Sequence, residues 1–370
     1  MSKIFELYGY RLNCWDDKAE ANLKKVFCPF MDAECDGGGN RYLSAINLTS
    51  NPKLKKRIPN KDLIQAGVCS LQIHENEQPW IVCPRRLFSL KNGNLSKYQS
   101  VIRKKLSEYS MLKKGNIYKV WSEVKIKTEV FNEDDEMKVF DYTFDYIISG
   151  VSRKKITDIS TLLVIPPDLI KKTAEKNGYT IVYGDSEYWI DDFPSDPFTI
   201  IEVMTSSTSG GDKKKRTQIG MACEDAIVNG LNHNAPGINY RQVWARMVSQ
   251  LIVKSQVALS WGSHTIWLVQ DVLADYISKS TALVLPEYLS ETLDEVNILS
   301  IGYGNLANSK ESILELKETK LFSGPISKSN GNNSKGFIDI VKIGAPPPKT
   351  QIWKSLLYKN PLGNWSDICR

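Results

Sequence analysis

Histidine is almost missing from this chain. The 370 residues contain three, His74, His233 and His264, widely scattered and without any C–H or H-x3-H spacing, which excludes a histidine-based ligand set. No run of apolar residues is long enough to span a bilayer, and Met1-Ser2-Lys3-Ile4-Phe5-Glu6 is not followed by the apolar stretch of a signal peptide. The expectation is therefore a cytoplasmic protein with no membrane partner. Internal repeats are absent, and Gly37-Gly38-Gly39 lacks the strand and helix context of a nucleotide loop. No elbow motif supports Ser/His/Asp catalysis.

Charge is plentiful but nearly balanced, with 48 basic against 42 acidic residues and a net +6. The basic residues cluster at Lys53 to Arg57, Arg103 to Lys105, Lys113-Lys114, Arg153 to Lys155 and Lys213 to Arg216. One such run is an ordinary solvated face; several together point to a polyanionic partner.

Seven cysteines are present, and four of them, Cys28, Cys35, Cys69 and Cys83, fall in the first quarter. Two are followed directly by proline, in Cys28-Pro29-Phe30 and Cys83-Pro84-Arg85. Four converging thiolates suit zinc or iron in a tetrahedral structural site. The spacings of six, thirty-three and thirteen intervening residues lack the usual C-x2-C knuckles, so burial as small apolar side chains is the competing explanation.

Coarse patterning divides the chain in three. Residues 1–95 read as a metal-pinned module, residues 96–292 as an α/β core with an inserted segment at about 150–195, and residues 293–370 as an extension of unknown role. In the core, a helix over 96–112 precedes strands at 117–126 and 138–149. The insertion reads as a strand near 161–165, a helix near 168–176 and a hairpin over 179–190. A short buried strand at 198–204, helices over 217–229 and 240–258, a strand at 264–269 and a helix over 271–278 follow. Alternating elements of this kind predict a central mixed sheet flanked by helices.

Three carboxylates interrupt strands: Glu123 in Val120–Val124, Asp145 in Tyr142–Ile147 and Glu202 in Phe198–Met204. A carboxylate inside an apolar run is desolvated at a cost unless a metal or a cation compensates it. Carboxylates on adjacent strand ends are also what metal-assisted phosphodiester hydrolysis requires, with a buried structural salt bridge as the alternative.

These features together resemble the NotI-type restriction endonucleases of the PD-(D/E)-x-K nuclease superfamily. The resemblance runs through Leu7–Arg11, the four cysteines with their flanking residues, Phe144-Asp145-Tyr146, Ile201-Glu202-Val203 and the pattern Arg246, Gln250, Lys254. It implies a type II restriction endonuclease: Mg2+-dependent hydrolysis of double-stranded DNA at a specific sequence by a homodimer, beside a companion DNA methyltransferase. It also implies a PD-(D/E)-x-K nuclease core, with Asp145 and Glu202 as Mg2+ ligands and Cys28, Cys35, Cys69 and Cys83 holding iron or zinc.

Met204 stands two residues after the glutamate, where the superfamily carries lysine and the NotI-like pattern glutamine. Arg246, Gln250 and Lys254 recur at four-residue spacing along one helix face, so Gln250 or Lys254 can supply the missing group; an exposed polar stripe is the alternative. Asp196 lies closer to Glu202 than Asp145 does, in what reads as a turn. The hydroxyl-rich stretch Thr205, Ser206, Ser207, Thr208 and the cations Lys213, Lys214, Lys215 and Arg216 are expected to contact DNA phosphates, with a flexible surface loop as the alternative. The catalytic candidates are thus Glu123, Asp145, Glu202, Gln250 and Lys254.

Overall fold

A computed structural model describes residues 2–38, 45–109, 117–131, 137–280, 283–306, 309–327 and 348–364. Its centre is a mixed sheet in the order Glu318–Gly324, Val296–Gly302, His264–Gln270, Glu187–Met204, Met137–Lys155, Tyr118–Phe131 and Gly363–Asn364, with Ile181–Gly184 paired beside Glu187–Met204. His264–Gln270 runs parallel to both its neighbours, and the remaining pairs are antiparallel. The expected α/β architecture with a central mixed sheet and flanking helices is present.

Alternation along the strands sets the two faces. Trp267 and Val269 join one core with Ala222, Val243, Leu251 and Leu273 from the helices Ile219–Asn229, Tyr240–Ser260 and Asp271–Ser280. Ile266 and Leu268 point the other way, into a core with Ile201, Val203, Leu299 and Tyr303. His264–Gln270 is covered on both faces, which is why it reads as a continuous apolar run.

A small antiparallel sheet of Tyr10–Arg11, Lys3–Leu7, Val68–Gln72 and Trp80–Ile81 covers one end. Its side chains share their cores with the large sheet: Ile4 and Leu7 pack with Trp267, and Phe5 packs with Leu268. A buried polar knot fastens the two. Arg86 Nε donates to both carboxylate oxygens of Glu6 at 3.1 Å, and Ser70 and Tyr303 donate to Glu6 Oε2 at 2.9 and 2.7 Å. Glu6 and Arg86 are both wholly buried.

Three expectations change. Residues 161–165 are not a strand: the helix Ile156–Leu163 occupies this place, with Val164 in the left-handed region closing it. Ile156, Ile159 and Leu163 at helical spacing bury one stripe in the core, and that packing overrides local strand preference. The hairpin's second strand does not stop, but continues as Glu187–Met204 through Pro194 and Pro197. Ser195 pairs with Gly150 and Phe198 with Ser149, so Asp196 and Pro197 form a bulge and not a turn. The C-terminal region is also built into the core, supplying three main-sheet strands and the helix Thr350–Leu357, whose Ile352, Trp353 and Leu356 pack with Trp121 and Phe198.

Candidate active site

The carboxylates mark the point where the sheet comes apart. The pairing of Met137–Lys155 with Glu187–Met204 ends at Tyr146 and Ile201. One step further, side chains replace the backbone ladder: Asp145 Oδ2 accepts from Val203 N–H at 2.8 Å, and Glu202 Oε1 accepts from Asp145 N–H at 3.3 Å. This exchange satisfies the backbone groups while the strands separate. On the other edge of Asp145, Glu123 has φ +52° and breaks the ladder between Ser122–Tyr146 and Val124–Phe144. A non-glycine residue in that region of φ is uncommon within a strand.

The opening is a cleft of about 560 Å3 lined by Asp145, Glu202, Met204, Thr205 to Thr208, Arg246, Gln250 and Trp267, among others. The helix Tyr240–Ser260 forms its other wall, starting at Asn239, whose side chain accepts from Gln242 N–H at 3.2 Å. Its four-residue stripe faces the sheet, and the deepest member, Lys254, is buried. Lys254 Nζ donates to Glu202 Oε2 at 2.6 Å and to Thr143 O at 2.7 Å. The helix therefore brings an ammonium group to the glutamate whose own strand carries Met204. Burial, and then the neighbouring Asp145, push the Glu202 carboxyl up to about 8, with Lys254 opposing the rise.

The other candidates divide. Thr205, Ser206, Ser207 and Thr208 line the cleft, fixed by Ser206 N–H to Ile81 O at 3.0 Å and Asn239 N–H to Ser207 O at 2.8 Å. Glu123 is exposed and shares only a narrow recess with Asp145, Arg85 and Tyr146. Lys213, Lys214 and Lys215 are exposed and outside the cleft lining. Arg216 is turned onto the helix that follows it, Ile219–Asn229, its Nε 2.8 Å from Asp225 and its Nη2 2.9 Å from Glu224. Asp196 pairs with Lys349, away from the cleft. Trp267 and Val82 line the cleft without having been singled out in the sequence; each sits in an apolar run that reads as ordinary core.

Both expected metal sites are corrected. Among the described residues, no group of three or more His, Cys, Asp or Glu is placed to hold a metal ion. At the expected Mg2+ position, Asp145 Oδ2 and the two oxygens of Glu202 instead accept hydrogen bonds from Val203 N–H, Asp145 N–H and the Lys254 ammonium. Cys28, Cys69 and Cys83 are buried among Tyr10, Phe30 and Ile313, with Cys35 against them, so they pack as apolar side chains and not as an iron or zinc ligand set. Burial pushes all four thiols upward, Cys83 to about 12, which opposes the thiolate form a metal needs.

Compared with known proteins, the chain matches no family model and no curated protein sequence. No helix among the described residues is long and apolar enough to cross a membrane.

Proposed function

We propose that this chain is a site-specific endonuclease of the restriction type, hydrolysing phosphodiester bonds of double-stranded DNA in the cleft between Glu202 and the helix Tyr240–Ser260. The observation that carries the proposal is the grouping of Asp145, Glu202 and Lys254 where the strands part, with Lys254 supplied by a different element from the one that bears the glutamate. The likeness of the motif-bearing segments to NotI-type enzymes of the PD-(D/E)-x-K superfamily supports the same reading.

The chemistry follows from what these side chains can do. Hydrolysis requires a water to lose a proton as it attacks phosphorus, and negative charge to be stabilised as the P–O3′ bond breaks. A carboxylate whose pKa lies near the working pH is an efficient general base, and Glu202 at about 8 meets that condition. The Lys254 ammonium, fixed beside it, provides positive charge in a poorly hydrated setting, where such charge acts strongly. Arg246 and Gln250 on the same helix, and the hydroxyls of Ser206 to Thr208, furnish donors for the phosphate backbone, while the Thr205 hydroxyl donates to Val82 O. The products would be a 3′-hydroxyl and a 5′-phosphate. A palindromic target would be matched by a two-fold homodimer, and a methyltransferase acting on the same sequence would protect host DNA.

Digestion of a plasmid in buffers with and without divalent cations tests the proposal. Discrete fragments of defined end sequence are expected, with Glu202→Ala at least a hundredfold slower. Tight duplex binding without cleavage in every buffer would instead mark a DNA-binding protein, and nicks or smears a nuclease of structural specificity.

A further inference from the structure

Two hydrogen-bond donors in the cleft wall have no partner among the described residues. Trp267 Nε1 and Ser206 Oγ are both buried and unpaired, and both residues line the cleft beside Asp145 and Glu202. Buried polar groups are nearly always satisfied, and of the eleven such orphans among the described residues these two belong to the cleft lining.

Their positions tie them to the proposed chemistry. Trp267 is the register partner of Glu202 on the adjacent parallel strand, so the two side chains stand together on one face of the sheet. Lys254 Nζ lies 5.8 Å from the centroid of the Trp267 ring. Ser206 is held through its backbone, its N–H bonded to Ile81 O at 3.0 Å.

The chemistry of the orphans selects their partner. An indole N–H only donates, so it requires an acceptor, and a hydroxyl can donate to the same group. A non-bridging phosphate oxygen is acceptor-only and anionic, and it would gain from the Lys254 ammonium nearby.

We propose that Trp267 Nε1 and Ser206 Oγ donate to the non-bridging oxygens of the scissile phosphodiester, holding it in the cleft beside Lys254. The proposal rests on the nuclease reading for its substrate, but its test does not depend on turnover. In protein labelled with 15N at the indole nitrogens, the resonance lost in Trp267→Phe identifies Trp267. That resonance is expected to move downfield on titration of the wild-type protein with inorganic phosphate, and further with a duplex whose bridging O3′ atoms are replaced by methylene groups, which cannot be cleaved and keeps both non-bridging oxygens. Ser206→Ala should weaken the phosphate response about tenfold, with the remaining indole resonances unchanged as a check on folding.

An indole resonance that stays fixed in the presence of both ligands would overturn the proposal, whether or not the protein cuts DNA. A resonance that moves with phosphate while plasmid stays intact would keep the oxyanion pocket and remove the nuclease reading. Where cleavage is observed, Trp267→Phe should lower kcat roughly a hundredfold to a thousandfold with KM nearly unchanged, as for loss of one oxyanion donor. An unaltered kcat would count against the assignment.

Discussion

Glu202 is asked to be both buried and chargeable, and its surroundings set the pH at which each demand prevails. Its carboxyl, raised from about 4.5 to about 8, keeps its proton in the folded chain after the unfolded chain has lost it. The folded state then binds more protons than the unfolded state between those values, so stability falls as pH rises through that window. Tm is expected to decline from pH 5 to pH 8, and Glu202→Gln should flatten the slope attributable to this group. DNA cleavage should follow the opposite trend, rising with pH through about 8 as the base form accumulates. Lys254→Ala is expected to reduce cutting by about a hundredfold to ten-thousandfold, the usual range for loss of a proton-transfer or charge-stabilising group, measured under single-turnover conditions. Wild-type cutting by that variant would end the assignment. The sequence made this pair legible because a lone glutamate in an apolar strand and a lysine on a polar stripe are each costly or periodic. Trp267 was not legible, since nothing in Thr265-Ile266-Trp267-Leu268-Val269 separates a cleft tryptophan from a core one.

At the scale of elements, the chain could be read wherever local pattern and tertiary packing agree. The strands near 117–126 and 138–149 and the helix over 240–258 correspond, to within a residue at one end, to parts of Tyr118–Phe131, Met137–Lys155 and Tyr240–Ser260. The pattern misled where prolines sit on a bulge, and where a β-branched segment coils because its isoleucines meet a core at helical spacing. The joint between His264–Gln270, the helix Asp271–Ser280 and Val296–Gly302 tests the packing directly. A Cβ on Gly302 would come to 2.1 Å from Asp271 Oδ2, and burial already pushes that carboxyl up to about 6. Gly302→Ala should therefore destabilise the fold by about 1–3 kcal/mol, the cost of overpacking, as read from chemical denaturation.

For the whole molecule, the Glu6–Arg86 pair is a clasp between the small sheet and the segments that follow residue 300. Arg86 Nη2 donates to Leu314 O at 2.9 Å, and its guanidinium lies over the rings of Phe30 and Tyr303 at 4.6 and 4.8 Å. Removing one partner strands a buried charge, so Arg86→Ala is expected to cost about 3–5 kcal/mol. Calorimetry should then show the loss across a single transition and not a separate unfolding of residues 1–95, because Ile4, Leu7 and Trp267 belong to one core. The strand Gly363–Asn364 has a consequence of another kind. It pairs with Lys119 and Val120, while Lys359 Nζ reaches the carbonyls of Ser122 and Glu123, beside the point where the sheet opens. Contacts closing across some 240 residues of chain are slow to form, since loop closure must precede any gain from packing. A nascent chain would carry Glu123, Asp145 and Glu202 well before the edge that braces them is made, so the candidate cleft would be completed only once Gly363–Asn364 has paired.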